Sequence, residues 1–201
     1  PNFPTVMNNF VNLEHLFGNV NSLSNLQQSK IFKFKEGYMV HGSLRPEFFY
    51  NDNVLKKIRT CYYSNAKPDI SNIYLNNKYN IAIHIRRGDV GQNNRHIPRF
   101  TSNNDYIQLL QKHTFPKNNQ LHLFSEGKND DFADIIKKFP NIKLHLNVDI
   151  KTTFHCLVKA DLLILSKSSF CYSAALLNEN TIDATHIKNW WHKPLKQWII
   201  K

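Results

Sequence analysis

The stretch YNIAIHIRRGDVG, residues 79–91, decides the fold, because an apolar run leads directly into two arginines, a glycine and an aspartate. The short apolar run predicts a buried strand over residues 79–85. Two adjacent guanidinium groups at the end of a buried strand are costly unless an anion compensates them. The stretch therefore predicts a strand that ends at an anion, which is supplied either by the protein or by a ligand.

Short apolar segments alternate with helical patterns from this strand onward. We expect strands over residues 79–85, 120–125, 141–146, 161–166 and 181–184, and helices over residues 103–113, 129–139, 150–160 and 168–177. Asn129 is expected to cap the second of these helices. This alternation predicts an α/β fold with a mostly parallel, Rossmann-like sheet, in which ligands bind at the carboxyl ends of the strands.

The first part of the chain has a less regular pattern. Residues 36–44 predict a short strand, and Pro46 suits the start of a helix. The stretch NAKPDISN, residues 65–72, is the candidate boundary. We therefore expect two domains, a reduced amino-terminal lobe over residues 1–78 and the α/β domain over residues 79–201.

The composition favours an anionic partner. The formal charge of +11 over 201 residues attracts nucleotides, acidic glycans, nucleic acid or anionic membranes, and a well-solvated basic surface is the alternative. Cys61, Cys156 and Cys171 show no CxxC spacing, which favours reduced thiols in the cytoplasm. A Golgi-lumenal location is the alternative if a leader precedes Pro1. No apolar run reaches bilayer length, so no integral membrane segment is expected.

Polar side chains cluster where the first predicted strand ends. Strand alternation predicts His84 and Arg86 on one face and Arg87 on the other. Arg86 suits a diphosphate, whereas Arg87 suits an ion pair with Asp89 or with a second acid. The alternative is a structural Arg–Asp pair that closes the strand, with His84 as a buried core histidine. No P-loop, no GxGxxG and no metal-ligand spacing of histidines on a predicted helix occurs, which disfavours dehydrogenase and metal-dependent chemistry.

Two further strand ends carry polar residues. Ser168 and Ser169 open a predicted helix, where hydroxyls and free amides suit a phosphate or a ribose. Simple N-capping is the alternative for these serines. Ser125 and Glu126 follow another strand, where Glu126 suits a general base or an acceptor of sugar hydroxyls. A solvated loop acid is the alternative for Glu126.

The carboxyl-terminal segment NWWHKPLKQWIIK, residues 189–201, is rich in indoles and lysines. Tryptophan side chains of this kind stack on sugar rings or bases in some proteins. We favour the simpler interpretation, in which the segment is amphipathic and packs its indoles on the domain.

Three stretches, IAIHIRRGD (81–89), LHLFSEG (121–127) and ADLLILSKSSFCYSAALLN (160–178), together resemble a known family. They are similar, in the same order, to the motifs of the fucosyltransferase superfamily that carries the HxRR(G/T)D signature. This superfamily includes the α-1,2-, α-1,6- and protein O-fucosyltransferases. The first motif is fairly specific, and the other two corroborate it.

The resemblance implies an inverting, metal-independent glycosyltransferase with a GT-B-like fold and no cofactor. Its substrates would be a GDP- or UDP-linked sugar, such as fucose or a related deoxyhexose or pentose like xylose, and a glycan acceptor. The matching positions imply that Arg86 contacts the β-phosphate, that Arg87 assists it, and that His84 lies near the nucleotide. The remaining donor-binding positions are Ser125, Ser168, Ser169 and Phe170.

The chain departs from the family at two functional positions. Thr153 stands where the α-1,6 enzymes carry an acid that reads guanine, which leaves the nucleotide base open. The stretch VGQNNRHIPR, residues 90–99, lacks their glutamate base. Asp89, Glu126 and His96 are therefore the candidate bases.

Two other functions fit the same sequence. One is a basic nucleic-acid-binding α/β module, which would retain oligonucleotides in a strongly salt-dependent way. The other is an inactive, lectin-like descendant of the glycosyltransferase fold, which would neither hydrolyse nor transfer from a donor. We expect neither nucleic acid as a partner nor a bound metal ion.

Overall fold

The computed structural model of the chain describes Pro46, residues 50–91 and residues 97–201. Within this part, five strands form one parallel sheet in the order β3-β2-β1-β4-β5. The strands are β1 Tyr79–His84, β2 Asn119–Ser125, β3 Lys143–Leu146, β4 Leu162–Ile164 and β5 Thr181–Asp183. The predicted α/β fold with a parallel sheet in this half of the chain is thus confirmed.

Five α-helices accompany the sheet in the described residues: α1 Asp52–Tyr63, α2 Asn103–Gln111, α3 Ala133–Lys138, α4 Ile150–Lys159 and α5 Ser169–Leu177. Side chains of Asn51, Ser102 and Asp149 cap α1, α2 and α4. The expected Asn129 cap is wrong, because Asn129 begins a 3-10 turn, Asn129–Phe132, that precedes α3. Two other 3-10 turns are Ile97–Arg99 and Thr185–Ile187.

The sheet separates two hydrophobic layers, as period-two alternation requires. Ile81 and Ile83 of β1 point into the layer that holds buried residues of α2 and α3. Ala82 points to the opposite layer, which is formed by α1, α4 and α5. Both faces of β1 are therefore covered by helices, which explains its uninterrupted apolar sequence.

The described portion of residues 1–78 packs directly onto the sheet domain. Leu55 and Tyr62 of α1 are buried in the same core as α4 and α5, and the Tyr62 hydroxyl lies 2.7 Å from Nδ1 of His155. The strand expected over residues 36–44 and residues 47–49, which follow Pro46, lie outside the described residues. The boundary at residue 78 stays a prediction.

The carboxyl-terminal segment also packs on the domain. Trp190 and Trp198 are each 8% exposed, and the amide of Ile199 donates to the carbonyl of Ile182 at 2.8 Å. Packing of the indoles is therefore confirmed for these two residues, whereas Trp191 is 37% exposed. Cys61, Cys156 and Cys171 are free thiols.

The strand order creates one natural ligand crevice. The chain moves from β1 to β2 on one side and returns to β4 on the other, so β1 and β4 are neighbours at which the direction of winding reverses. In sheets of this topology, ligands bind at the carboxyl ends of the strands beside such a switch point. None of the helices in the described ranges is both long enough and apolar enough to cross a bilayer.

Candidate functional site

A cavity of about 890 Å³ opens at the carboxyl ends of the strands, beside the switch point. Its volume lies in the range of small-molecule sites. Nine of the residues singled out from the sequence line it, although they come from three separate stretches of chain: His84, Arg86, Arg87, Asp89, Ser125, Glu126, Ser168, Ser169 and Phe170. The sequence motifs therefore meet in space at one site.

Arg86 forms a two-pronged ion pair with Asp89. Nε of Arg86 donates to Oδ1 of Asp89 at 3.0 Å, and Nη2 donates to Oδ2 at 2.6 Å. Arg87 does not pair with Asp89, and the acids whose charges act on it are Asp131 and Asp134. β1 ends at His84, so Arg86 and Arg87 follow the strand directly. The ion pair with Asp89 occupies the Nε–Nη2 edge of the guanidinium. The Nη1 edge has no bonded partner among the described residues, so Arg86 can close the strand end with Asp89 and still bind an anion.

Gly88 allows the turn that brings Asp89 back to Arg86. Its φ is +72°, and a Cβ at this position would lie 2.0 Å from Oε2 of Glu126. The positive φ favours glycine here, and the absence of a Cβ leaves room for the carboxylate of Glu126. The Glu126 carboxylate consequently lies against the turn that holds the Arg86–Asp89 pair.

The environment of Glu126 makes its carboxylate more basic than usual. Partial burial of the carboxyl raises its pKa, and the nearby charge of Asp89 raises it further. Arg86 opposes this effect without cancelling it. Glu126 therefore combines access to the cavity with a strengthened affinity for a proton.

Arg87 is held by the protein. Nη2 of Arg87 donates to Oδ1 of Asn103 at 2.8 Å, and Nη1 donates to the carbonyl of Arg86 at 3.0 Å. Its guanidinium carbon also lies 4.6 Å from the centre of the Phe100 ring. Arg87 thus contributes to the cavity wall, but these contacts direct its guanidinium towards α2.

His84 is a neutral, buried histidine at the end of β1. Burial, helped by the charge of Arg86, lowers the pKa of His84 to about 3. Its Nδ1 is hydrogen-bonded to the hydroxyl of Ser166, and its ring centre lies 5.7 Å from that of Phe170. The core role expected as one alternative for His84 is confirmed, and the side chain also forms part of the cavity wall.

The start of α5 presents unused hydrogen-bonding groups to the cavity. Ser168 occupies the N-cap position, is 3% exposed, and makes no side-chain capping bond. Across the described ranges, the amides of Ser169, Phe170 and Cys171 have no hydrogen-bond acceptor. These groups, together with the positive end of the helix dipole, suit an anion.

Ser169 is paired with His192 from the carboxyl-terminal segment. Its Oγ lies 2.7 Å from Nε2 of His192, whose Nδ1 is buried without a partner in the part of the chain that the structure describes. An orphaned N–H is rarer in proteins than an orphaned acceptor, which favours the tautomer with its proton on Nε2. Nε2–H then donates to Ser169, and the Ser169 hydroxyl proton is available to a ligand.

Sequence reasoning missed several residues that line the cavity: Arg99, Asn147, Asp149, Phe154 and Ser173. Thr153, noted from the sequence as a departure from the family, and Trp191, expected to pack on the domain, line it as well. The connection between β3 and α4 could have been recognised as part of the site, because it too begins at the carboxyl end of a strand. Asn147 there has φ 55° and holds Gly127 through two side-chain hydrogen bonds of 3.1 and 2.9 Å. Arg99 and Trp191 follow no periodic pattern and come together only in the folded chain.

No protein-family model matches the chain, and a search of curated proteins also finds no match. The resemblance to fucosyltransferases therefore depends on the three motifs alone. His96, the third candidate base, lies outside the described residues. Among residues 50–91 and 97–201, no group of three or more His, Cys, Asp or Glu side chains is arranged to hold a metal ion.

Proposed function

We propose that the chain is an inverting glycosyltransferase with a GT-B-like fold that works without a metal ion. It transfers fucose or a related deoxyhexose or pentose, such as xylose, from a nucleoside diphosphate to a glycan. One observation carries the proposal: three distant motifs converge on a single cavity at the switch point of a parallel sheet. This is where doubly wound folds bind nucleotides.

Two features of the cavity suit the diphosphate. The Nη1 edge of Arg86 offers fixed positive charge, since Asp89 holds the guanidinium from the opposite edge. The first amides of α5 and the Ser168 hydroxyl supply further donors. Together they stabilise the negative charge that develops on the leaving group, which is the task of a metal ion in other transferases.

Glu126 is the base in this mechanism. It accepts the proton of the acceptor hydroxyl while the hydroxyl oxygen attacks the anomeric carbon. The bond from that carbon to the β-phosphate oxygen breaks, and its electron pair leaves with the diphosphate. Asp89, which was also a candidate base, acts instead as the positioning residue for Arg86, because both its oxygens accept from that guanidinium.

Aromatic rings form the wall that suits the nucleoside. Phe154 and Phe170 both line the cavity, with ring centres 5.3 Å apart. Thr153 lies beside them without a charge, and Oδ1 of Asp149 already accepts from two amides at the start of α4. Since no acid is dedicated to guanine at this position, both GDP and UDP belong in the test.

Calorimetry of the purified chain against GDP, UDP, GDP-fucose and UDP-xylose tests the proposal. We expect one nucleotide to bind and Arg86→Ala to weaken it by about tenfold or more, because a charge-assisted contact is lost. The stability cost is about 1 kcal/mol or less, since the ion pair is partly exposed. Arg59→Ala is the matched control, because Arg59 pairs with Glu179 at 3.8 Å and does not line the cavity.

Failure of every nucleotide to bind the wild type, or unchanged binding in Arg86→Ala, contradicts the proposal. Donor hydrolysis separates the transferase from a lectin-like descendant, which would bind without turnover. A salt-dependent oligonucleotide titration covers the remaining alternative. Tight retention that falls steeply with salt would favour a nucleic-acid-binding module.

A further inference from the structure

An aromatic side chain stands exposed at the cavity. Trp191 is 37% exposed and lines the cavity, although both neighbouring indoles of this segment, Trp190 and Trp198, are buried. Its ring is supported from within the protein by Trp190 at 5.6 Å and by His192 at 5.0 Å between ring centres. His192 in turn stacks on Tyr172 at 4.6 Å. The exposed indole is thus supported by packed rings and presents a rigid apolar surface.

A cation that has no acidic partner in the described part of the chain lies over this indole. The guanidinium carbon of Arg99 is 5.5 Å from the centre of the Trp191 ring. Arg99 also lines the cavity, and it has neither a hydrogen bond nor an ion pair among the described residues. Its turn is anchored to the strand β4 side of the cavity, because Nζ of Lys167 donates to the carbonyl of Pro98 at 3.2 Å.

The other two arginines that line the cavity differ from Arg99 in their bonding. Arg86 is paired with Asp89, and Arg87 is bonded to Asn103, so both have partners within the protein. Among the described residues, the contact recorded for the Arg99 guanidinium is the π face of Trp191. A guanidinium kept in this state at a binding cavity retains its full capacity to fork onto a carboxylate or phosphate.

We propose that Arg99 and Trp191 form a subsite for an acceptor sugar that carries an anionic group. The indole packs against the C–H face of the pyranose ring, and the guanidinium binds the anion at the edge of that ring. A hexuronic acid and a sugar phosphate share this chemistry. The assignment to the acceptor rests on the proposed function, in which Arg86 and the start of α5 hold the donor diphosphate.

The test measures binding of four probes by saturation-transfer NMR and titration: methyl β-glucuronide, methyl β-glucoside, glucose 6-phosphate and inorganic phosphate. We expect a charged sugar to bind the wild type about tenfold more tightly than the glucoside. Arg99→Gln brings this ratio to about one, and Trp191→Ala weakens all three sugars about fivefold or more. Lys196→Ala is the matched control, because it removes one charge from the same segment outside the cavity lining and leaves the ratio unchanged.

The two charged sugars distinguish a carboxylate from a phosphate as the preferred anion, and preference for either supports the subsite. The subsite proposal is overturned if charged and neutral sugars bind equally or if no sugar binds. It is also overturned if phosphate binds as tightly as the charged sugars, or if the preference for charged sugars survives in Arg99→Gln. Trp191→Phe, which keeps an aromatic ring, serves if the alanine variant does not fold. Nucleotide calorimetry on the same samples distinguishes the subsite proposal from the proposed function. If nucleotides bind normally but charged sugars are not preferred, only the subsite proposal is contradicted.

Discussion

At the scale of single residues, the site is organised around one cation between two acids. Asp89 accepts both prongs of Arg86, and Glu126 lies against the Gly88 turn beside them. The two carboxylates repel each other, and this repulsion adds to desolvation in raising the pKa of Glu126. The turn thus fixes the guanidinium of Arg86, and the charge of Asp89 that holds it also helps to raise the pKa of Glu126.

Replacing Asp89 by asparagine tests this coupling. The change removes a negative charge near Glu126 and releases the Arg86 guanidinium from its ion pair with residue 89. Both effects favour the charged form of the Glu126 carboxylate. We therefore expect Asp89→Asn to lower the pKa of Glu126, as measured by the pH dependence of its side-chain carboxyl ¹³C shift. Glu126→Gln assigns the signal. Asp130→Asn, an exposed acid that does not contribute to the Glu126 shift, is the control. An unchanged or higher pKa in Asp89→Asn would show that the two acids are not coupled.

At the scale of elements, two serine N-caps perform different tasks. Ser102 closes the start of α2 with a capping box, in which its hydroxyl accepts from the amide of Asp105 at 3.2 Å. Ser168 stands at the same position of α5 without any capping bond from its side chain. The first cap stabilises the protein, whereas the second leaves the first amides of its helix without a side-chain acceptor from the cap residue.

Alanine at each cap separates these tasks. Ser102→Ala should reduce the free energy of unfolding by about 1 kcal/mol and leave nucleotide binding unchanged. Ser168→Ala should cost less than about 0.5 kcal/mol and weaken nucleotide binding by about threefold to tenfold. Urea denaturation and calorimetry on both variants provide the measurements. A large stability loss in Ser168→Ala with unaltered binding would assign Ser168 a purely structural role.

The elements were largely predictable from the sequence, whereas the assembly of the site was only partly so. Apolar runs and turn residues placed all five strands within a few residues, because burial dictates those patterns. The end of β1 was predicted one residue too late, because the strand stops at His84, where its ladder to β2 ends. Arg99 escaped prediction, and Trp191 was expected to pack on the domain like its neighbours, since long-range packing of irregular segments leaves no local period in the sequence.

At the scale of the whole molecule, neutral histidines are distributed through the core. Burial is the first cause that lowers the pKa of His84 and His122 to about 3 and that of His155 to about 4. Each makes a hydrogen bond in its neutral form: His84 to Ser166, His122 to Asn80 and His145, and His155 to Tyr62. In the unfolded chain their pKa returns to about 6.5.

This difference between the folded and unfolded pKa values predicts that the fold loses stability already at pH values well above the pKa of the carboxylates. Between about pH 6.5 and 4 the unfolded state binds more protons than the folded state, so the free energy of unfolding falls as the pH falls. Each buried histidine contributes a slope of up to about 1.4 kcal/mol per pH unit. Urea denaturation at pH 7.5, 6 and 5 measures the slope, and His155→Gln should flatten it even though the lost Tyr62 bond lowers stability at pH 7.5. A stability that is constant from pH 7.5 to 5, or a slope that His155→Gln leaves intact, would mean that protons reach these histidines without unfolding the sheet around them.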